Sequence, residues 1–478
     1  MKEEVLRMEN ISVYNLNRSI LEDFRLYVFK GEILSLAGLS GEGKTALYKI
    51  LSGENVIEEG RVIFKNKIYT KNQCIVKNRD IFCLGKETIL VDNLSVAENI
   101  FVIGNKQYKN IFINYKHIIY KTEKLLAKYL PNVKSDCLIK ELTQWEIRIV
   151  ELLKAIIIKP VLIVIDEVIL TCSKEEIDQI IYLLEELKNM GISIVYESNR
   201  INRITNISDR MFIIRDRKIA KILYNEQYSE ILINNFLVGY DMPMEIERQS
   251  NIKNETILSM EEVNLGLDIH NINLSLKKGE IIGIFHDENI LNKKILDIIT
   301  GETKVLSGSI IFEEERFHPK SISSAKRKGI GVIPSGLSNE FIIESMSLED
   351  NLILYFIKKY SIGKIFIDHK MVKFMINQFK NIINSRTYKE IINTYSYIEQ
   401  LMLLYREIIC NNKILICMNP CERADIIMKK MIYSALNEAA ETGTGIIIIN
   451  NNIIELQEIC DTIYIINNNG EIKKHKIK

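Results

Sequence analysis

The chain has 478 residues, 47% of them hydrophobic and 26% charged, with a formal net charge of +1. That length exceeds one ordinary core and implies two or more domains of a globular, ordered kind. The near-neutral balance leaves no electrostatic footprint for nucleic acid or for an anionic membrane surface. The opening "MKEEVLRMEN" lacks the apolar stretch of a secretory leader. The longest apolar runs, "AIIIKPVLIVI" and "GIIIIN", are too short to span a bilayer and read as buried parallel strands, the first preceded by a helix end. Among the eight cysteines only Cys417 and Cys421 are close, and no histidine neighbours them. Reduced thiols in a cytosolic setting and no metal cluster are the expectation.

In chain order, "EILSLAG" reads as a strand ending at Gly38, "KTALYKILSG" as a helix, "PVLIVID" as a strand, "EEIDQIIYLLEELKNMG" as a helix closing on Gly191, and "ISIVYES" as a strand. Strands alternating with helices predict an α/β fold with a parallel core sheet. Between the first strand and its helix lies "GLSGEGKT": Gly38, Leu39, Ser40, Gly41, Glu42, Gly43, Lys44 and Thr45. This is the G-x-x-x-x-G-K-[ST] pattern. Its glycines let main-chain N–H groups curl around phosphates, and the following helix turns its positive end toward the same anion. In that pattern Lys44 reaches the β and γ phosphates and Thr45 ligates Mg²⁺. A glycine-rich turn with a chance lysine is the bland alternative, and the flanking strand and helix argue against it.

"PVLIVIDE" ends its apolar strand on Asp166 and Glu167. Acids at such a strand end face the crevice where α/β proteins bind ligands. Asp166 is assigned to the Mg²⁺ shell, and Glu167, with Lys44, to catalysis on ATP, Glu167 orienting or deprotonating the attacking water. Acids also favour helix starts for dipole reasons alone, so the pairing with the phosphate loop carries the assignment.

Short words recur along the chain. "KGE" ends at Glu32 and again at Glu280, 248 residues on; Gly53 answers Gly301 and Gly60 answers Gly308 at the same spacing. "LSVAEN" at Leu94 answers "MSLEDN" at Met346, and Asp209 answers Asp461, now 252 residues on. The chain is therefore two copies of one domain, residues 1–242 and 257–478, joined by a polar linker at 243–256.

The order of phosphate loop, "LSVAEN", signature region, strand with Asp-Glu, "YES" and "SDRMFIIRDRKIA" resembles the ATP-binding cassette proteins. The tandem layout resembles the fused double-cassette subunits of bacterial simple-sugar importers, the ribose and galactoside type. The resemblance implies tandem P-loop NTPase cassettes, each with a β-subdomain and a helical subdomain. It implies ATP and Mg²⁺ as ligands, membrane permease subunits as partners and, through them, a sugar-binding protein. It places the chain peripherally on the cytoplasmic face of the membrane. It also implies that cassettes face each other head to tail, so that Gly38–Thr45 would be closed by Tyr395–Gln400.

The departures from the family are specific. Its glutamine-loop position falls on Lys86, its signature on "LTQWE" with Trp145 at a glycine position, its switch histidine on Asn199, and its adenine-stacking aromatic on Asn15 beside Tyr14. In the second copy "GIFHDENI" keeps Gly283 but sets His286 and Glu288 at glycine positions and Asn289 and Ile290 at the Lys-Thr positions; His286 reads as a loop or core histidine. The acids at the strand end become Met418 and Asn419, the signature becomes "TYSYIEQ" (Thr394–Gln400), and the switch region reads "INNN" around Asn452. Two readings stay open: an importer's ATP-binding subunit with slow hydrolysis, or a nucleotide-binding scaffold with little or none. A twin-cassette protein acting on ribosomes or DNA is disfavoured by the neutral charge.

Overall fold

The computed structural model describes residues 3–15, 18–39, 41–75, 80–85, 87–102, 114–166, 174–198, 203–239, 252–264, 271–286, 289–333, 395–410, 412–422, 424–467 and 472–477, with short pieces between 335 and 377. The chain divides into two compact units, Met1–Met242 and Pro243–Lys478. Most of the linker expected at 243–256 lies outside the described residues.

In the first unit β1 (Glu4–Asn15), β2 (Arg18–Phe29), β4 (Glu59–Phe64) and β5 (Lys67–Thr70) form an antiparallel sheet in the order β2-β1-β4-β5. A second sheet joins β3 (Ile33–Gly38), β6 (Ile81–Leu84), β7 (Leu162–Asp166), β8 (Ser193–Ser198), β9 (Arg210–Arg215) and β10 (Lys218–Tyr224) in the order β10-β9-β3-β8-β7-β6. Its strands run parallel except for β10 at the edge. Every residue of β3, β7 and β8 is buried, which explains their unbroken apolar runs: a parallel strand covered on both faces needs no polar alternation.

One face of this sheet packs on helix α1 (Lys44–Leu51) and the antiparallel sheet, through Leu34, Leu36, Leu47, Ile50, Val164 and Val195. The other face packs on a helical layer: α2 (Val96–Phe101), α3 (Tyr115–Tyr129), α4 (Gln144–Ile158) and α5 (Lys174–Asn189). The short α6 (Arg203–Asn206) and α7 (Glu230–Val238) complete the unit.

The second unit repeats the plan. Strands β11 (Thr256–Asn264), β12 (Ile272–Lys277), β14 (Ser307–Phe312) and β15 (Glu315–Arg316) form a sheet in the order β12-β11-β14-β15. Strands β13 (Ile281–Phe285), β16 (Ile330–Ile333), β19 (Ile414–Met418), β20 (Gly445–Asn450), β21 (Thr462–Ile466) and β22 (Ile472–Lys476) order as β16-β19-β20-β13-β21-β22. That is the order of the first unit's six-stranded sheet, strand for strand. Helices α8 (Asn289–Thr300), α9 (Ile322–Lys328), α10 (Tyr395–Ile409), α11 (Ile426–Glu441) and α12 (Ile453–Ile459) accompany them, with a small hairpin of β17 (Ser361–Ile362) and β18 (Phe366–Ile367).

The repeat extends to individual contacts. Asp209 accepts the N–H of Ile33 at 2.9 Å, and Asp461 accepts that of Ile281 at 2.8 Å, each pinning the start of the phosphate-loop strand or its counterpart. Gly60 and Gly308 sit at φ 86° and 87°, each with a main-chain carbonyl 2.4 Å from where a Cβ would be, so both bulged strands require glycine. One pair diverges. Glu32 forms a buried ion pair with Arg210 (2.6 Å), whose guanidinium lies 4.5 Å from the Tyr27 ring centre; in the second unit Glu280 instead accepts the Thr462 hydroxyl at 3.1 Å. No helix among the described residues is long and apolar enough to cross a membrane.

Candidate nucleotide site

The loop after β3 has the main-chain shape that its sequence demands. Gly41 (φ 87°) and Gly43 (φ 90°) both occupy left-handed backbone. Gly43 caps α1 and lies against β2: a Cβ there would be 2.6 Å from Leu21 Cδ2 and 2.8 Å from the Ile20 carbonyl oxygen. Glycine is therefore required twice over, by conformation and by space. The Glu42 carboxylate accepts the main-chain N–H of Arg217 at 2.8 Å, anchoring the loop to the turn between β9 and β10.

Lys44, at the first position of α1, is buried and folds back over the loop. Its ammonium donates to the carbonyls of Gly38 (2.6 Å) and Leu39 (2.8 Å). Thr45 is exposed beside it, and Leu39 is buried. Asp166 closes β7 with 8% exposure. The sheet thus brings Gly38, the α1 start and Asp166 to the same end of the strands, as the crevice rule for parallel sheets requires. Ser40, Lys86, Glu167 and Asn199 lie outside the described residues.

Two residues not singled out by motif also belong to this end. Glu197 is fully buried on β8, paired in register with Leu36 of β3 on one side and with Asp166 of β7 on the other. Tyr48, one turn into α1, has its hydroxyl pushed up from the ordinary phenol range by burial, with Cys83, Glu54, Asp166 and Glu197 adding to the effect. That hydroxyl lies 2.6 Å from where a Cβ on Gly85 would be, so a side chain immediately before Lys86 would push Tyr48 aside. The signal for Glu197 was present in the sequence, as an acid inside the apolar strand "ISIVYES".

Two further calls can be placed. Tyr14 is 45% exposed at the end of β1; its hydroxyl donates to Glu59 at 3.2 Å and its N–H to Glu58 at 2.9 Å. Trp145 does not stand free in the signature region: its ring packs against the helical-layer core, and its buried indole N–H meets no acceptor among the described residues. Beside it Thr143 and Glu146 form a capping box: Glu146 accepts the Thr143 N–H at 2.7 Å, and Thr143 accepts the Glu146 N–H at 3.3 Å. The positive end of α4 is thereby closed by the chain's own carboxylate.

The second unit corrects one alignment. The residue in Lys44's place is Asn292, not Asn289. Asn292 is fully buried and donates its side-chain amide to the carbonyl of His286 at 3.1 Å, six residues back, as Lys44 does to Gly38. Helix α8 begins at Asn289, so the counterparts of Gly41–Gly43 are already helical. The 248-residue spacing pointed there; matching the letters by local similarity obscured it. His286 is buried, in keeping with a core role, while Glu288 lies outside the described residues. Met418 ends β19, and Asn419 follows with φ 40°.

Two α/β cassettes of one topology, one with a formed phosphate loop and one in which helix replaces it, define a tandem P-loop nucleotide-binding protein. A family model described as ABC transporter matches residues 21–169, within the first cassette. With that match and the repeated topology, the chain is similar to the ATP-binding cassette proteins of the double-cassette kind. It is similar over nearly its whole length to the ribose import ATP-binding protein RbsA of Clostridium tetani (29% identity, 98% of this chain and 95% of that one). It is also similar to the L-arabinose transport ATP-binding protein AraG of Geobacillus stearothermophilus (26% identity, 100% and 96%). The galactose/methyl galactoside import ATP-binding protein MglA of Clostridium tetani aligns likewise (26% identity, 96% and 93%). A solved ATP-binding cassette of an ABC transporter in its ADP conformation aligns with 49% of this chain and 95% of that one, at 24% identity and a TM-score of 0.42.

Proposed function

We propose that the chain is the ATP-binding subunit of an importer for a simple sugar, with ATP held by the first cassette alone. The observation that carries this reading is the formed loop Gly38–Thr45 beside Asp166, in a chain that aligns end to end with sugar-import ATP-binding proteins. On binding, the N–H groups of the loop and the α1 start face the phosphates. Lys44 leaves the carbonyls of Gly38 and Leu39 for the β and γ phosphates. The exposed Thr45 hydroxyl and the Asp166 carboxylate are oxygen donors of the kind a small hard cation takes, which fits Mg²⁺. Mg²⁺ there neutralises phosphate charge. Glu167 orients the attacking water.

The chain works peripherally at the cytoplasmic face of the membrane, docked on permease subunits that receive sugar from a separate binding protein. A second reading, a nucleotide-binding scaffold with little hydrolysis, is favoured by the Thr143–Glu146 capping box and by Trp145 at a signature glycine position. The two are separated by phosphate release from the purified chain with its permease. The importer reading expects slow, sugar-stimulated release that Glu167→Gln abolishes. Release unchanged by Glu167→Gln defeats the catalytic assignment.

A further inference from the structure

Glu151 is fully buried in the middle of α4, and its carboxylate accepts three hydrogen bonds. One oxygen takes the Thr88 hydroxyl at 2.8 Å and the Ile89 N–H at 2.9 Å; the other takes the Arg148 guanidinium at 2.7 Å. Thr88 and Ile89 belong to the segment that follows β6. Strands β6 and β7 run parallel with Leu84 opposite Ile165, so the chain leaves β6 at the end where β7 delivers Asp166. Glu151 thus ties the segment beside Asp166 to the helical layer. The phosphate loop is more distant: it leaves β3, which β8 and β7 separate from β6, three strand spacings or ~14 Å.

The second cassette provides the comparison within the same chain. In the first, the segment after β6 is also held to α2: buried Asn99 accepts the Val91 N–H at 2.8 Å and donates to the carbonyls of Val91, Leu94 and Ser95. The second cassette keeps this clasp whole. Asn351, 252 residues on, accepts the Ile343 N–H at 2.8 Å and donates to the carbonyls of Ile343, Met346 and Ser347. It does not keep the tie to the helix. At the same spacing Glu151 becomes Leu403, buried on α10, and Arg148 becomes Gln400. The asparagine clasp is common to both folds. The glutamate tie is found only in the cassette that carries the G-x-x-x-x-G-K-T sequence.

We propose that Glu151 is a positioning residue for ATP hydrolysis, holding Thr88 and Ile89 against α4 so that the β6 side of the site stays fixed beside Asp166 and Glu167. This rests on the nucleotide reading of Gly38–Thr45. Its place in the sheet sets the kind of effect it has. A tie beside the strand end that carries the acids, and three strands from the loop that grips the phosphates, governs turnover and leaves affinity alone.

The test compares the full chain with Arg148→Gln/Glu151→Leu, which borrows both residues of the second cassette and removes the guanidinium together with its carboxylate. Thr88→Val removes one hydroxyl and Thr88→Ser returns it; this milder pair decides the matter if the double variant does not fold. Each protein is measured for the dissociation constant of a fluorescent ATP analogue with Mg²⁺, for single-turnover phosphate release, and for hydrogen exchange at the Ile89 amide. The double variant should exchange Ile89 faster, keep its affinity, and release phosphate about tenfold more slowly. Thr88→Val should move the same way by less, and Thr88→Ser should match the wild type. Faster exchange with unchanged release would mean a merely structural tie and overturn the proposal, as would a loss of affinity equal to the loss of rate. Unchanged exchange at Ile89 would overturn it too, because the tie would then hold nothing. A wild type that binds ATP but releases no phosphate would overturn the hydrolytic reading and this inference with it; a wild type that binds no ATP would overturn the nucleotide reading itself.

Discussion

Asn292 donates its side-chain amide to the carbonyl of His286 at 3.1 Å, the bond that Lys44 makes to Gly38 at 2.6 Å in the first cassette. The second cassette has kept the local geometry of the lysine while giving up its charge. It has also carried its helix three residues further into the loop, so the loss is one of backbone as well as side chain. Restoring the charge by Asn292→Lys should therefore leave nucleotide binding to this cassette absent. Equilibrium dialysis of the Lys44→Ala/Asn292→Lys double variant checks this: no bound ATP is expected.

Gly43→Ala should abolish nucleotide binding and destabilise the first cassette. The new methyl would need a left-handed backbone and would overlap Leu21 and the Ile20 carbonyl. Strain at such a position costs about 1–3 kcal/mol, before the steric overlap is counted. A urea unfolding curve and the same binding assay measure the two effects separately.

How much of this was legible beforehand differs by feature. The repeat, the strand–helix alternation and the phosphate loop were visible because each is written in local sequence: apolar runs, glycine spacing, recurring words. The true partner of Lys44 was obscured because a glycine loop and a helix turn of equal length align by count and not by letter. Glu197 was visible as a letter, but its meaning depends on the strand order that seats β8 between β3 and β7. The inward turn of Trp145 follows from packing against the helical layer, which no window around residue 145 contains.

Arg210→Ala should cost about 3–5 kcal/mol, because it leaves Glu32 buried without its cation. Arg210→Thr should cost less, since the second cassette satisfies Glu280 with the Thr462 hydroxyl. Chemical denaturation of both variants gives the comparison, and the ordering is the prediction.

Burial pushes the thiols of Cys417 and Cys421 above the ordinary cysteine range, Cys421 far above it. Both should resist iodoacetamide at pH 8 in the native state and react at once in denaturant, whereas the partly exposed Cys74 should react natively. Mass-spectrometric mapping of the labelled sites checks this.

The central claim is that one chain holds one nucleotide, at Gly38–Thr45. Native mass spectrometry of the full chain with saturating Mg²⁺ and a non-hydrolysable ATP analogue tests it most directly. A single bound nucleotide per chain that disappears in Lys44→Ala is the predicted result. Two bound nucleotides, or one that survives Lys44→Ala, would contradict it.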